Sequence, residues 1–454
     1  MNGLDTPRKR KLVPGAPIDD LGDGLLLRHA RPEDADALAA FNADVHRHSE
    51  NDPPDEPIRV WTRDLLLRPH PTFQPALFTV VEDTANRAIA SSLNLIPQTW
   101  SYGGVPFGVG RIELVGTAKE YRRRGLVRRQ MEEAHRWSAD MGHLVQGITG
   151  IPWYYRQFGY EMCLNLGGGH RLPADQVPTL AQGEIEPFTF RPASASDVPF
   201  LVATDAHGRQ RSLISCVRDD ALWQHEVDGR SRSNSTDAVQ VTIIERRGGQ
   251  PVGFVGSPFQ LWDRSFAITV AELAARNSWL AVVPSLLRWA KQQGDHQAAT
   301  AQKELSSILL WLGEDHPAYT AIGRWVSSFR PSYAWFIRVP DLPTFLWQMR
   351  SVLERRLAAS VAAGHTGEMK LNFYDSGIRL RFKGGLIVEV TQWPEHDRRI
   401  GADFPGLTFL QVVTGWRSFQ EVAHAFPDCQ ATDESRVLVE TLFPKRTSFV
   451  WPVS

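Results

Sequence analysis

The sequence has little cysteine and no long hydrophobic run. Its three cysteines, Cys163, Cys216 and Cys429, are far apart and odd in number, which excludes a disulfide framework and a CxxC-type zinc site. No window reaches the ~18 apolar residues of a membrane span, and the first twenty residues lack the apolar stretch of a signal peptide. These absences predict a cytoplasmic protein in a reducing compartment, without membrane association or bound metal.

Net charge is also nearly absent. Fifty basic residues face fifty-one acidic ones, which leaves a formal charge of −1, so no global field attracts nucleic acid or anionic lipid. Hydrophobic residues make up 42% and charged residues 22% of the 454 residues, a balance typical of folded domains. A basic function must therefore be local, and we expect no nucleic-acid partner.

Several familiar catalytic motifs are missing. The chain contains no HExxH, GxxxxGK[ST], GxSxG or GxGxxG, which argues against metalloprotease, P-loop, α/β-hydrolase and dinucleotide-binding chemistry.

A weak internal repeat organises the chain. LLLRHARPEDADALAAF at 25–41 aligns with FTFRPASASDVPFLVAT at 188–204, and Arg28 and Asp34 fall in register with Arg191 and Asp197. Each segment reads as a short strand, a capping stretch and a helix, and the pattern changes near residue 335. Strands alternate irregularly with helices, so the predicted fold class is mixed α/β (α+β).

A basic stretch, KEYRRRGLVRRQ at 119–130, lies between the predicted strand GRIELVGTA and a predicted helix. The first N–H groups of a helix lack intrahelical partners and the helix dipole is positive there, so a turn opened by Gly125 suits a phosphate. The alternative is a solvated basic face formed by Arg122, Arg123, Arg124, Arg128 and Arg129, paired partly with Glu132 and Glu133 at helical spacing. In the second segment, AARNSWLAVVPS follows the corresponding strand without a glycine, so we expect no phosphate turn there.

The stretch ELVGTAKEYRRRGLVRRQM, followed by YYRQFGY, resembles the GNAT superfamily of acetyl-CoA-dependent N-acetyltransferases. Val127 departs from the usual Gly or Ala of the family's Arg-x-x-Gly-x-Gly/Ala motif. The whole chain is similar to the Eis-like branch (enhanced intracellular survival proteins). That resemblance implies tandem GNAT-type mixed sheets flanked by helices and a sterol-carrier-like C-terminal domain. The implied boundaries are 1–22, a flexible tail; 23–180, the catalytic GNAT domain; 181–335, a degenerate second GNAT-like domain; and 336–454, the sterol-carrier-like domain.

The resemblance also implies residue roles. Main-chain groups of Val115 and Thr117 would hold the acetyl and pantetheine parts of acetyl-CoA. The turn and the start of the helix would take the pyrophosphate; this set consists of Arg122, Arg123, Arg124, Gly125, Leu126 and Val127.

Three further residues are candidates for proton transfer. The resemblance implies Tyr155 as the general acid that protonates the leaving thiolate, and the alternative is a packing role in an aromatic cluster. Glu113 is a candidate base, with a surface carboxylate as the alternative. The resemblance also implies that the C-terminal carboxylate, here of Ser454, helps to orient or deprotonate the amine. The acidic loop at 46–57 is either an acceptor channel or a solvated loop.

The predicted function is direct acetyl transfer from acetyl-CoA to a primary amine of an aminoglycoside- or polyamine-like small molecule or of a lysine side chain. The alternative is a non-catalytic acyl-CoA or lipid-binding protein that uses the sterol-carrier-like domain. The resemblance implies a homo-oligomer such as a hexamer.

Overall fold

The computed structural model describes residues 12–451 except 152, 235, 237, 324–327 and 394–400. The chain divides into two compact units. Unit 1 comprises Met1–Gln98, Gly108–Ile148 and Gly229–Thr236, and unit 2 comprises Thr99–Phe107, Thr149–Asp228 and Asp237–Ser454. The domain boundaries that the sequence suggests near 180 and 335 stay predictions.

Unit 1 is built on a mixed sheet. Its strands are β1 (Pro17–Asp20), β2 (Leu25–His29), β3 (Phe78–Asp83), β4 (Ile89–Tyr102), β5 (Val105–Thr117) and β6 (Val145–Ile148), of which β4 and β5 run on into unit 2. Its helices are α1 (Ala35–Val45), α2 (Glu56–Leu67) and α3 (Leu126–Asp140). The strand order is β1-β2-β3-β4-β5-β6; β1 to β4 pair antiparallel, and β5 and β6 run parallel.

The N-terminal segment is ordered earlier than the sequence suggests. Pro17–Asp20 belongs to the segment that the sequence predicts as a flexible tail, but it forms β1, an edge strand paired with β2. Ile18 and Leu21 pack against the buried cluster that contains Leu25 and Leu27. Removal of these apolar side chains from water explains why the segment adds to the sheet.

The sequence predicts an amphipathic helix from the spacing of Val127, Met131, Ala134, Ser138 and Met141, ended by Gly142, and the middle of α3 confirms this pattern. Met131, Ala134 and Ser138 are fully buried, as the spacing of apolar residues requires. Met141 lies past the last helical residue and is 36% exposed. Gly142, with φ of 75°, ends the helix as predicted.

Unit 2 carries most of the remaining elements. Its other strands are β7 (Glu161–Leu166), β8 (Gly169–Pro173), β9 (Phe188–Pro192), β10 (Ile214–Cys216), β11 (Val239–Arg246), β12 (Gln250–Pro258), β13 (Ser265–Ile268), β14 (Val270–Leu273), β15 (Ser307–Leu310), β16 (Ser328–Arg330), β17 (Tyr333–Arg338), β18 (Gly367–Asn372), β19 (Gly377–Lys383), β20 (Leu386–Gln392) and β21 (Ala402–Asp403). Its helices are α4 (Val198–Gly208), α5 (Asp220–Gln224), α6 (Trp279–Thr300), α7 (Pro317–Ile322), α8 (Leu342–Ala358), α9 (Thr408–Val413), α10 (Phe419–Ala425) and α11 (Asp433–Leu442).

These strands form three four-stranded sheets, ordered β14-β12-β11-β9, β13-β15-β8-β16 and β20-β19-β18-β21. Strand β17 pairs with β7, and β10 with the end of β4. Helices flank these sheets, several of which combine parallel and antiparallel pairs, and this confirms the predicted α/β class.

One run of residues that the sequence predicts as a single strand forms two strands, β13 and β14. The run FAITVAEL reads as a single strand, but the structure breaks it at Thr269. Strand β13 pairs parallel with β15, whereas β14 pairs antiparallel with β12 in another sheet. Both halves and Thr269 between them are buried, so no exposed residue marks the change of sheet.

The repeated segments share one ionic arrangement. In unit 1, Arg28 on β2 donates through Nη1 and Nη2 to Asp34 (2.7 and 2.9 Å) and through Nε to Glu82 on β3 (2.7 Å). The bidentate bond to Asp34 joins the end of β2 to the start of α1.

In unit 2, Arg191 on β9 donates in the same way to Asp197 (2.8 and 2.7 Å) and to Glu245 on β11 (2.8 Å). The separations along the chain, 6 and 54 residues, are the same in both copies. Hydrogen bonds from Arg191 lower the pKa of Asp197 to about 2. The two glutamates extend the repeat beyond the residues that the sequence alignment identified.

All three cysteines are free and buried. Burial raises the pKa of Cys216 to about 12 and raises the pKa values of Cys163 and Cys429 above their ordinary range. None of the described helices combines the length and apolar character needed to cross a bilayer.

Candidate functional site

Strands β5 and β6 pair over only part of β5. Their parallel ladder runs from Val109–Val145 to Ile112–Ile148, where β6 ends. Strand β5 continues to Thr117, and Leu114 within it has φ of 53°. A left-handed residue inside a strand is a bulge that bends the strand and interrupts pairing. Among the described residues, β6 therefore leaves the main chain from Glu113 to Thr117 without a parallel partner.

The turn after β5 provides a second group of main-chain donors. Arg123 and Gly125 both have left-handed φ, 65° and 76°. Where right-handed and left-handed backbone conformations alternate, successive N–H groups converge into a concave anion-binding site. Gly125 is also the N-cap of α3, and no described side chain caps that helix. The dipole of α3 adds positive potential at the same point.

Space beside Gly125 is compatible with a phosphate. A Cβ atom built there meets no other described atom within 4 Å, so the turn is open on that side. Val127, larger than the usual residue of the family motif, is half-buried in the first turn of α3, while Leu126 is buried in the apolar cluster of unit 1. The residues present therefore fit a pyrophosphate group.

The arginines of the cluster have different surroundings. Arg122, Arg123 and Arg124 are exposed; Arg122 donates through Nε to the Thr117 carbonyl (3.3 Å), and Arg124 lies 5.5 Å from the Tyr121 ring centroid. Arg129 instead bonds Asp19 (2.9 Å) and Glu132 (2.7 Å). Arg129 is thus ion-paired, whereas the three arginines before Gly125 flank the turn, and the choice between phosphate contacts and a solvated face stays a prediction for them.

A buried polar network fixes the turn to the sheet. The Ser91 hydroxyl lies 2.7 Å from the Gly116 carbonyl oxygen, 2.9 Å from the Thr117 hydroxyl and 2.6 Å from Gln130 Oε1. Gln130 on α3 also donates to the Thr79 hydroxyl (2.9 Å). These bonds join the end of β5 to the start of α3, so Val115 and Thr117 are held in a fixed relation to Gly125. No local sequence motif marks Ser91 or Gln130.

Glu113 is engaged by a neighbouring cation. Its Oε1 accepts hydrogen bonds from Arg111 Nε and Nη2 (2.9 and 2.8 Å), and both side chains are largely buried. The Arg111 guanidinium also lies 6.0 Å from the Trp61 ring centroid. Glu113 is thus part of an ion pair next to the bulge and is not a surface carboxylate.

His46, which the sequence analysis missed as an individual candidate, lies beside this segment. Its Cε1 is 3.5 Å from the position of a Cβ on Gly116, and its Nδ1 is 2.9 Å from the Asn42 carbonyl oxygen. Because a carbonyl only accepts, Nδ1 carries the proton and Nε2 of the neutral ring is the acceptor. Burial lowers the pKa of His46, and the charges of Glu113 and Asp55 act in the opposite direction.

The acidic loop before α2 is partly structural. Asp55 caps α2 by accepting from Ile58 N (3.0 Å), Glu56 pairs with Arg59, and Glu50 pairs with Lys119. Asp52 is exposed. The acceptor-channel interpretation of residues 46–57 stays a prediction.

Tyr155 belongs to unit 2. It lies in a short 3₁₀ helix, Tyr154–Phe158, that Gly159 ends as predicted. Its ring is 4% exposed and packs edge-on against Tyr154, Tyr160 and Phe336. The aromatic cluster therefore exists, and the role of Tyr155 as an acid stays a prediction.

The C-terminal residue Ser454 lies outside the described residues. The last described residue, Trp451, is 5% exposed, and the Arg218 guanidinium is 4.4 Å from its ring centroid. Trp451 thus packs onto unit 2. Among the described residues, no group of three or more His, Cys, Asp or Glu side chains is arranged to hold a metal ion.

Comparison with known families agrees with this geometry. Residues 27–163 match the model of the acetyltransferase (GNAT) domain. No protein of curated function is similar in sequence at a significant level.

Three solved structures resemble nearly the whole chain. A probable N-acyltransferase from Enterococcus faecalis is 15% identical with a TM-score of 0.65, covering 95% of this chain and 99% of its own. A GCN5-related N-acetyltransferase from Anabaena variabilis is 14% identical with a TM-score of 0.62, covering 94% and 99%. Eis1 from Mycobacterium abscessus is 14% identical with a TM-score of 0.58, also covering 94% and 99%. Residues 27–163 are thus similar in sequence to a GNAT acetyltransferase domain, and the structural likeness shows a common fold over nearly the whole chain.

Proposed function

We propose that the protein is an acetyl-CoA-dependent N-acetyltransferase that acts directly on a primary amine. The observation that carries this proposal is the part of β5 beyond the β6 ladder, which leads through the Leu114 bulge into the uncapped turn at Gly125. A strand segment that β6 does not pair, next to an anion-binding turn, suits a ligand with a thioester at one end and a pyrophosphate at the other.

The proposed binding roles follow the order of the chain. Main-chain groups of Val115 and Thr117 hold the acyl and pantetheine parts. The turn and first residues of α3 bind the pyrophosphate through N–H groups; this set consists of Arg122, Arg123, Arg124, Gly125, Leu126 and Val127. Positioning of the thioester against the amine supplies much of the rate.

Transfer requires two proton movements. The amine nitrogen forms a bond to the thioester carbon, the carbon–sulfur bond breaks, the nitrogen loses a proton and the sulfur gains one. Tyr155 is the proposed acid, since a phenol is protonated at neutral pH.

For the base, Glu113 is already engaged in an ion pair with Arg111. His46 has an acceptor nitrogen and a lowered pKa, so its ring is neutral at neutral pH. We therefore assign the proton acceptor to His46 and an electrostatic role to Glu113. The carboxylate of Ser454 is a further candidate for orienting the amine.

The proposed acceptor is a cationic small molecule of aminoglycoside or polyamine type, or a lysine side chain. The carboxylates of Glu113 and Asp55 act electrostatically on His46, and negative potential at this point favours a protonated amine. The structural likeness to Eis1 is consistent with this class but concerns the fold alone.

We also propose a domain organisation, a localisation and an oligomeric state. The matching arrangements at Arg28 and Arg191 support a duplication in which residues 181–335 form a degenerate second GNAT-like domain. Residues 336–454 are proposed as a sterol-carrier-like domain. A cytoplasmic homo-oligomer, such as a hexamer, follows from the Eis resemblance.

A second candidate function has one observation in its favour. Unit 2 contains a cavity of about 580 Å³ lined by apolar side chains that include Val339, Leu342, Phe373, Phe409 and Leu410. This volume is within the usual range of ligand pockets. The cavity supports a non-catalytic acyl-CoA or lipid-binding protein in which the C-terminal region is the functional part.

One assay separates the two candidates. Purified protein is mixed with acetyl-CoA and a panel of aminoglycosides, polyamines and lysine peptides, and release of the CoA thiol is followed. Amine-dependent thiol release supports the transferase. Acetyl-CoA binding without release by any amine supports the binding protein.

A further inference from the structure

A second cavity in unit 2 has a different chemical character. Its volume is about 600 Å³, and four of its thirteen lining residues are arginines, Arg209, Arg355, Arg356 and Arg446. No aspartate or glutamate is among the lining residues. Four arginines in the lining of one cavity without a lining carboxylate give it a positive local potential.

Two of these arginines are held by neutral groups. Arg355 donates to the Gly103 carbonyl (3.2 Å). Arg356 donates to the Tyr102 hydroxyl (3.2 Å) and the Leu442 carbonyl (2.5 Å). These bonds fix the guanidiniums in place but leave their charge uncompensated.

Arg209, the third arginine, forms an ion pair with a carboxylate that also pairs with another arginine. Arg209 donates to Asp205 (2.8 Å), and the other oxygen of Asp205 lies 3.2 Å from Arg218. One buried carboxylate thus serves two cations. The cavity and its immediate support keep an excess of positive charge.

The turn between β4 and β5 forms another part of the wall. At Gly103, with φ of 54°, a Cβ would lie 2.8 Å from Val352 on α8, so the turn packs closely against that helix. At Gly104, with φ of 89°, a Cβ would meet nothing within 4 Å. The main chain of Gly104 is therefore accessible beside the arginines.

We infer that this cavity binds a small anion carrying two or more phosphate groups. Guanidinium groups bind phosphate oxygens bidentately, and two or more phosphates match the uncompensated charge of the arginines. The volume suits a ligand of nucleotide size. This site is separate from the proposed pyrophosphate turn at Gly125, since its lining residues all belong to unit 2, and it does not depend on the proposed acetyl transfer.

The test is calorimetric titration of the full chain with inorganic pyrophosphate and, in parallel, with ADP. The Gly125→Val variant serves as the background, so that binding at the proposed acetyl-CoA turn is weakened. In that background, Arg355→Gln together with Arg446→Gln should raise the Kd for pyrophosphate at least about tenfold, because two charge-assisted partners are removed. Both side chains are exposed, so folding should be preserved, and circular dichroism verifies it.

The control is Arg350→Gln on the same helix. Arg350 donates to the Trp347 carbonyl (2.8 Å) and does not line the cavity, so its replacement should leave the Kd unchanged. Binding of pyrophosphate or ADP that is lost in the double variant supports the site. Of these two ligands, the one with the lower Kd shows whether the site prefers a free diphosphate or a nucleotide. Absence of pyrophosphate and ADP binding, an equal effect of Arg350→Gln, or equal affinity for citrate would overturn it.

Discussion

Replacement of Gly125 by valine separates backbone strain from ligand binding, because the chain contains a matched glycine. Gly125 and Gly142 lie at opposite ends of α3, have φ of 76° and 75°, and a Cβ on either meets nothing within 4 Å. A valine at either position costs roughly 1–3 kcal/mol of stability from the left-handed backbone alone. We expect Gly125→Val and Gly142→Val to lower the free energy of unfolding by similar amounts.

Only Gly125→Val should weaken acetyl-CoA binding. Loss of close phosphate approach removes one charge-assisted hydrogen bond, worth about 1.5–3 kcal/mol, which corresponds to an increase in Kd of about 10- to 150-fold. Calorimetric titration with acetyl-CoA gives the Kd, and urea unfolding gives the stability. An unchanged Kd in Gly125→Val, or an equal rise in Gly142→Val, would refute the phosphate-turn reasoning.

Three further predictions concern protons. Burial lowers the pKa of His143 to about 4. The free energy of unfolding is therefore unaffected by this group above its unfolded pKa of about 6.5, and it declines as pH falls towards 4 because only the unfolded chain takes up the proton. Urea titrations should show wild type losing about 2 kcal/mol more than His143→Gln between pH 7.5 and 5; equal losses contradict this. For His46, whose pKa is also lowered, kcat/KM should fall as pH drops through that pKa, and His46→Gln should abolish this limb while Glu113→Gln retains it; an unchanged pH profile in His46→Gln removes its role as base. Tyr155→Phe should lower kcat by about 100-fold or more with unchanged Kd for acetyl-CoA, and unchanged kcat would end its assignment as the acid.

The central part of unit 1 could be predicted because its signals are local. An apolar strand, a glycine turn and the spacing of Met131, Ala134 and Ser138 lie within about thirty residues, and helix capping and periodicity act over that range. The structure places β5, Gly125 and α3 in that order.

Features that depend on distant residues could not be predicted. Leucine has no preference for left-handed φ, so nothing in the sequence marks the bulge at Leu114. Ser91 and Gln130 are 39 residues apart, and His46 approaches Gly116 only once α1 packs beside β5. Similarly, the break at Thr269 arises because β13 and β14 pair with strands of different sheets, which a run without an exposed residue or a glycine does not reveal.

The buried cysteines have a practical consequence for measuring acetyl transfer. A disulfide reagent reacts with a thiolate, and a thiol that is enclosed and whose pKa is raised exposes little thiolate at neutral pH. Cys163, Cys216 and Cys429 are at most 3% exposed, so the folded protein should consume almost no reagent. Colour development in a thiol-release assay would then report free CoA, and a slow background reaction would report unfolding of the enzyme itself.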